Sequence, residues 1–357
     1  MSSKSAKTTL DTFNEILEDK NDVCSLREEK TDTNNRGYKI LSGIKNTMSD
    51  RASTEKKFNE LLEEYRSNIL PNVIEGWIDM TEDEHRSVSR MNNFFCGLHL
   101  LVGAADTCAE TLRKYEACSF KGEKVGARCE DSDEIVSQEA GVIRLIRTCS
   151  KAFGRGMDEK SGCFLDFQTY CSQHKVPTLF VRYRHNRFNI FFLLAQYVYF
   201  HRERIIDFLK EKHGATNRLL STILCDVQVP LFISGCRVLG LISKLITAPL
   251  WHLIEQDSHI LGMNRHFLEL YTVSSPQMLV SFMNGNSPFP DMVEHDSILH
   301  ELTRVKDSED SVQAESIAQT LFTSLKRLLE RQLKDQLPGG KYANASDEIK
   351  KETLSTL

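Results

Sequence analysis

The sequence predicts a mainly α-helical chain with at most one or two short strands. Three observations carry that expectation. Apolar residues recur at helical spacing over most of the 357 residues. Strand-like runs are few, and none is bounded by hairpin turn chemistry. Helix start and stop signals stand at the ends of the periodic segments.

Taken in order, Leu10, Phe13 and Leu17 fall at i, i+3 and i+7 and predict a first helix. Gly37–Ile44 reads as either a short strand or a helical turn. Phe58, Leu61, Leu62, Tyr65 and Ile69 form an apolar stripe that should end near Pro71. Thr81-Glu-Asp-Glu84 is a capping-box pattern opening the next helix. Further stripes run through Leu98, Leu101, Ala105, Cys108 and Leu112, and through Ile135, Val142, Ile146, Cys149 and Phe153. Thr178–Tyr183 alternates moderately and is the second strand candidate. A last stripe covers residues 310–336 and meets a terminator at Leu337-Pro-Gly-Gly340.

Composition narrows the function classes. Apolar residues make up 40% and charged residues 27%, so a sizeable core can be buried. The net charge of -5 excludes a wholly basic nucleic-acid binder but not a local basic groove. Ten irregularly spaced cysteines do not resemble a secreted disulfide framework, and the N-terminus lacks a signal-peptide core, so an intracellular protein is expected. No membrane association is expected. The apolar run Phe188–Phe200 has 13 residues, short of the roughly 20 a span needs. Pro230–Ile254 is longer but carries Arg237 and Lys244, at about 3 kcal/mol for each charge at a bilayer centre.

Polar breaks at 117–133, 154–162 and 274–290 punctuate the chain. The expected organisation is an N-terminal part over 1–116, a polar linker over 117–133, a helical domain over 134–340 and a frayed polar tail over 341–357.

Three motifs are candidates for chemistry. Asp50 stands at a loop or strand end before an amphipathic helix, where it serves either as a helix cap or as a metal-binding carboxylate. Cys96-Gly-Leu-His99 and Cys171-Ser-Gln-His174 are two Cys-x-x-His pairs. Each could place two soft ligands on one helix face, but the pairs lie far apart for a zinc finger. Packing is therefore the expectation, and no metal is assigned. The window 176–213 holds seven Lys/Arg (Arg182, Arg184, Arg187, Arg202, Arg204, Lys210 and Lys212) against three acids. Interleaved aromatics suit phosphate contact and base stacking, while a solvated helix face is the alternative. Residues 291–315 carry eight acids and two bases, so charge is segregated along the chain.

The order of these features resembles the hAT-type DNA transposases: Asp50 before a helix, then Phe94-Phe-Cys96-Gly-Leu-His99, then Asn186-Arg187-Phe188-Asn189. Over roughly 5–350 the chain also looks like a set of mobile-element-derived animal proteins. That likeness rests on Met48-Ser-Asp-Arg-Ala, Gly235-Cys-Arg-Val-Leu-Gly-Leu-Ile, Ala248-Pro-Leu-Trp and Leu337-Pro-Gly-Gly-Lys-Tyr. The resemblance implies a helical insertion-type domain attached to a partial ribonuclease-H-like α/β remnant. It makes Asp50 a vestigial second catalytic carboxylate, and Cys96, His99 and Arg187 family-motif residues. Arg187 is followed by Phe where the family has Trp. The family's first Asp has no counterpart, as if the chain began past its strand. Glu255, Glu301 and Glu315 are equal candidates for the third acid.

The function expected is that of a transposase-derived, catalytically inactive protein with weak, non-specific DNA binding through Arg182, Arg184, Arg187, Arg202 and Arg204. The ancestral chemistry would be metal-dependent DNA cleavage and strand transfer, with Mg2+ as cofactor only if the site were complete. The alternative is a non-enzymatic α-helical interaction scaffold. The partners expected are DNA, other proteins or a second copy, with the nucleus favoured over the cytoplasm. A further reading is a fragment of a longer gene product.

Overall fold

A computed structural model describes residues 5–25, 36–50, 52–129, 139–157, 160–183, 189–256, 260–304 and 308–344. Among the described residues helix dominates, at 71% against 3% strand. The chain forms two compact units, residues 1–99 and 100–345. The boundary falls upstream of the polar stretch at 117–133, because one continuous helix runs to Phe120.

The first unit contains α1 (Ala6–Ser25), α2 (Arg36–Gly43), β1 (Asn46–Ser49), α3 (Ser53–Val73), α4 (Glu82–Ser89) and β2 (Asn92–Phe95). Gly37–Ile44 is thus resolved as helical. β1 and β2 pair in parallel, with Met48 opposite Phe94, so the chain between them must cross over through α3 and α4. Leu17, Leu41, Leu62 and Met91 form the core, flanked by Leu10, Phe13, Ile44, Phe58, Tyr65 and Ile69. α3 runs past the expected stop and carries Pro71 in its final turn. Thr81 closes the capping box on α4: its hydroxyl accepts from the Glu84 amide at 3.3 Å, and its own amide donates to the Glu84 carboxylate at 2.7 Å.

The second unit begins within α5 (Leu98–Phe120). It continues through α6 (Gly141–Phe153), α7 (Phe164–Gln173), α8 (Ile190–Asp207), α9 (Arg218–Val227) and α10 (Pro230–Ile242). Then come α11 (Ala248–Glu255), α12 (Asn264–Val273), α13 (Leu279–Met283), α14 (Ser297–Thr303) and α15 (Ser308–Gln332). A π-helical turn at Ser243–Thr247 joins α10 to α11 without a break. The resulting stretch, Pro230–Glu255, passes a membrane-span test by length and hydropathy, yet 89% of its most apolar window is buried inside this unit. It is the central helix of the unit, and protein surrounds even its Arg237 and Lys244, which are buried and hydrogen-bonded. α6, α8, α14 and α15 pack on α10. Gly240 lets α10 approach α8, since a Cβ there would sit 3.0 Å from the Gln196 backbone.

Thr178–Tyr183 is not a strand but an extended segment whose Phe180 is buried beside Phe153 and Phe167. α15 ends at Gln332, before the Pro-Gly-Gly terminator. The chain then folds back so that Leu337 and Tyr342 are buried. Tyr342, expected in a frayed tail, donates its amide to the Asp335 carbonyl at 2.6 Å. Residues 345–357 of the expected tail lie outside the described residues.

Candidate functional site

The parallel pair places two of the sequence motifs side by side. Asp50 follows β1 directly and Cys96 follows β2 directly, so both stand at the carboxyl ends of adjacent strands. The Cys96 amide donates to the Ser49 carbonyl at 2.9 Å, and the His99 amide to the Cys96 carbonyl at 3.2 Å. Open α/β sheets gather their functional groups at such an edge, where side chains leave the strands into a common crevice. Asp50 is exposed, and its carboxylate accepts from the Ala52 amide at 2.8 Å. This is a local turn bond two residues on; the helix N-cap position itself is Ala52, which has no side-chain cap. Cys96 and His99 are half-buried.

Two-metal cleavage needs several carboxylates around ions about 3.5–4 Å apart. Among the described residues no group of three or more His, Cys, Asp or Glu side chains is arranged to hold a metal ion. The candidate third acids have other surroundings. Glu301 accepts from Arg202 at 2.8 Å and lies 3.6 Å from Arg304. Glu255 ends α11 and Glu315 lies within α15. In the second Cys-x-x-His pair, Cys171 is buried and the His174 ring bonds the Tyr170 carbonyl at 2.8 Å while packing on the Tyr170 ring. Burial pushes the Cys171 thiol up.

The basic window divides. Arg184 and Arg187 lie outside the described residues. Arg182 is exposed on the extended segment. Arg202 is buried: it lies over the Tyr199 ring, donates to the Tyr199 carbonyl at 2.6 Å and forms the ion pair with Glu301. Arg204 donates to the Phe200 carbonyl of its own helix at 3.2 Å and lies over the Phe200 ring. Two of the candidate phosphate contacts are therefore engaged within the helical unit.

Several charged groups that organise the structure were missed by sequence reasoning. Arg66 is buried in the first unit and donates to the carbonyls of Ser42, Val88 and Ser89. Its signal was present: Leu62, Arg66 and Leu70 are four apart and share the buried face of α3. In the second unit Glu116 caps α6 by accepting from the Gly141 and Val142 amides at 2.6 and 3.0 Å. Lys244 pairs with Glu294 and Asp296, and Arg237 donates to the Leu302 carbonyl. No spacing rule signals those long-range partners.

Comparison with protein-family models, with curated proteins and with solved structures finds no match to this chain.

Proposed function

We propose that the chain is a transposase-derived protein without cleavage activity, whose helical unit serves as a protein-interaction scaffold. The observation that carries this reading is the strand–helix–strand arrangement of the first unit. It has Asp50 at the end of β1 and Cys96-x-x-His99 at the end of the adjacent β2. That is the order the resemblance implies, an Asp before a helix and a Cys-x-x-His downstream, and it supports a ribonuclease-H-like remnant. Two-metal cleavage needs several carboxylates, and among the described residues Asp50 belongs to no group of three or more possible metal ligands; this supports the reading of an inactive descendant. The scaffold reading gains from the basic window, because Arg202 is buried and paired with Glu301, while Arg204 is half-buried against its own helix.

Weak DNA binding is the second reading, favoured by the exposed Arg182. The test is duplex binding at low and moderate salt, with a plasmid-nicking assay in Mg2+ and Mn2+. The expected result is no nicking and little duplex affinity. Nicking abolished by Asp50→Ala would overturn the inactive reading. Salt-sensitive binding lost in Arg182→Ala, Arg184→Ala would replace the scaffold reading with the DNA one.

A further inference from the structure

In the first unit the turn between α3 and α4 carries Ile78, which is 94% exposed and is the most exposed large apolar side chain among the described residues. It sits on a single 3-10 turn, Trp77–Asp79, entered through Gly76 in the left-handed region (φ 72°). The turn is braced on both sides. The Trp77 ring stacks on His85 at 4.2 Å between centroids, and a His85 ring nitrogen bonds the Trp77 carbonyl at 2.7 Å. The Asp79 amide donates to the Gly76 carbonyl at 2.9 Å, and the capping box of Thr81 and Glu84 fixes the start of α4 just beyond. A protruding aliphatic side chain on a rigid turn loses little freedom when it is covered, and covering it removes apolar surface from water.

The surroundings of Ile78 select what covers it. Between residues 75 and 86 stand five acids, Glu75, Asp79, Glu82, Asp83 and Glu84, against Arg86 and His85. Arg86 is paired with Asp83, and Glu84 is engaged by Thr81. Glu75, Asp79 and Glu82 are exposed and make no ion pair among the described residues. Like-charge repulsion turns away nucleic acid and anionic lipid, whereas a basic protein surface is attracted.

We propose that this acidic-rimmed knob is a docking site for a protein partner presenting an amphipathic helix whose apolar face is flanked by lysine or arginine. Ile78 packs on that apolar face, the half-buried Trp77 backs Ile78, and Glu75, Asp79 and Glu82 pair with the basic flanks. The proposal rests on the interaction-protein reading above, extends it from the helical unit to the first unit and gives it a partner chemistry.

The probe is a labelled amphipathic helical peptide of leucine and lysine, titrated into the full chain by fluorescence anisotropy, with its leucine–glutamate counterpart as control. The lysine peptide should bind saturably and more weakly as salt rises, and the glutamate peptide should not bind. Ile78→Ser should weaken binding on the order of tenfold, the loss for uncovering one large aliphatic side chain. Glu75→Gln with Glu82→Gln should weaken it and flatten the salt dependence. Neither variant touches a packed group, so unchanged thermal melts are expected. No binding of the lysine peptide, equal binding by Ile78→Ser and wild type, or equal binding of both peptides overturns the proposal. So does tighter binding of duplex DNA or anionic vesicles that Ile78→Ser abolishes. Failure here leaves the nicking and duplex tests untouched, since those read Asp50 and Arg182.

Discussion

Asp226 on α9 holds Arg144 on α6 by two parallel hydrogen bonds, each 2.7 Å long, inside the helical unit. The same carboxylate accepts the Ala127 amide at 2.9 Å. Asp226 has no exposed surface. Burial works against the Arg144 charge, yet the two bonds to Asp226 leave the guanidinium more basic than usual. A buried pair of this kind contributes little over an apolar replacement but is costly to break from one side. Asp226→Ala should therefore destabilise the helical unit by about 3–5 kcal/mol. Adding Arg144→Met should restore part of that loss, because the orphaned cation is gone. Denaturant unfolding of the single and double variants measures it, and strictly additive losses would show the two residues to be uncoupled.

His201 predicts the acid limb of the stability profile. It is fully buried among Phe167, Phe180 and Phe200, and neither ring nitrogen makes a hydrogen bond of normal geometry. Burial first, and the nearby Arg204 charge second, push its pKa down to about 4, against a weaker opposing pull from the Pro177 carbonyl. The folded chain thus prefers the neutral ring, while the unfolded chain takes up a proton near pH 6.5. Stability attributable to this group is intact above pH 6.5 and falls as pH drops toward 4, by about 3 kcal/mol in all. His201→Phe keeps the aromatic packing and should flatten that slope in urea unfolding measured across the same pH range.

Lys244 predicts the alkaline limb. It lies in the π-helical turn after α10, is buried, and reaches Asp296 at 2.6 Å and Glu294 at 3.1 Å. Burial lowers its pKa, but the bonds to Asp296 and Glu294 outweigh that and raise it above the ordinary lysine value. The stabilisation is then complete below pH 10.5 and is lost as pH rises through the higher folded value. Asp296 also caps α14 through the Ile298 and Leu299 amides. Deprotonation should therefore loosen α14 first. Hydrogen exchange of residues 297–303, faster in Lys244→Met than in wild type at neutral pH, is the expected signature.

The mainly helical class was legible because α1, α3, α5, α6 and α15 bury one stripe of apolar residues each, and a stripe is a local pattern. The capping box of Thr81 and Glu84 was legible for the same reason: four consecutive residues contain the whole device. Gly37–Ile44 was ambiguous because eight residues suit either period until Leu41 is seen buried against Leu17 and Leu62. β2 was missed because Asn92-Asn-Phe-Phe95 is four residues long and takes its meaning from a partner strand 46 residues earlier in register. Asp50 was read as a cap or a ligand at a loop or strand end, and β1 at Asn46–Ser49, which settles that choice, was not among the strand candidates. The neighbourhood it shares with Cys96 needed the parallel pairing. The basic window illustrates the opposite limit. Composition put Arg202 and Arg204 with Arg182, but helical phase turns Arg202 inward onto Glu301, and only the distant acid explains why.

Arg66 gives the last prediction, for the first unit. Its guanidinium is 1% exposed and donates to the carbonyls of Ser42 at 2.7 Å, Val88 at 2.9 Å and Ser89 at 3.0 Å. Those carbonyls belong to the ends of α2 and α4, whose last turns leave acceptors without intrahelical donors. One side chain on α3 therefore closes both helix ends. Burial lowers the pKa of Arg66 from the ordinary arginine value, with Glu63 pulling the other way. Arg66→Met fills the space but leaves three acceptors unmet, and each buried unmet group costs about 1–3 kcal/mol. Removing the buried charge recovers part of this, so a net loss of about 3 kcal/mol is expected. Arg66→Lys keeps a charge but cannot fork to three acceptors, and should recover less than half the loss. Hydrogen exchange resolves the two units: residues 36–43 and 82–89 should lose protection in Arg66→Met while α15 keeps its own. Uniform loss across both units, or full rescue by lysine, would show that Arg66 acts as a general charge and not as the clamp on α2 and α4.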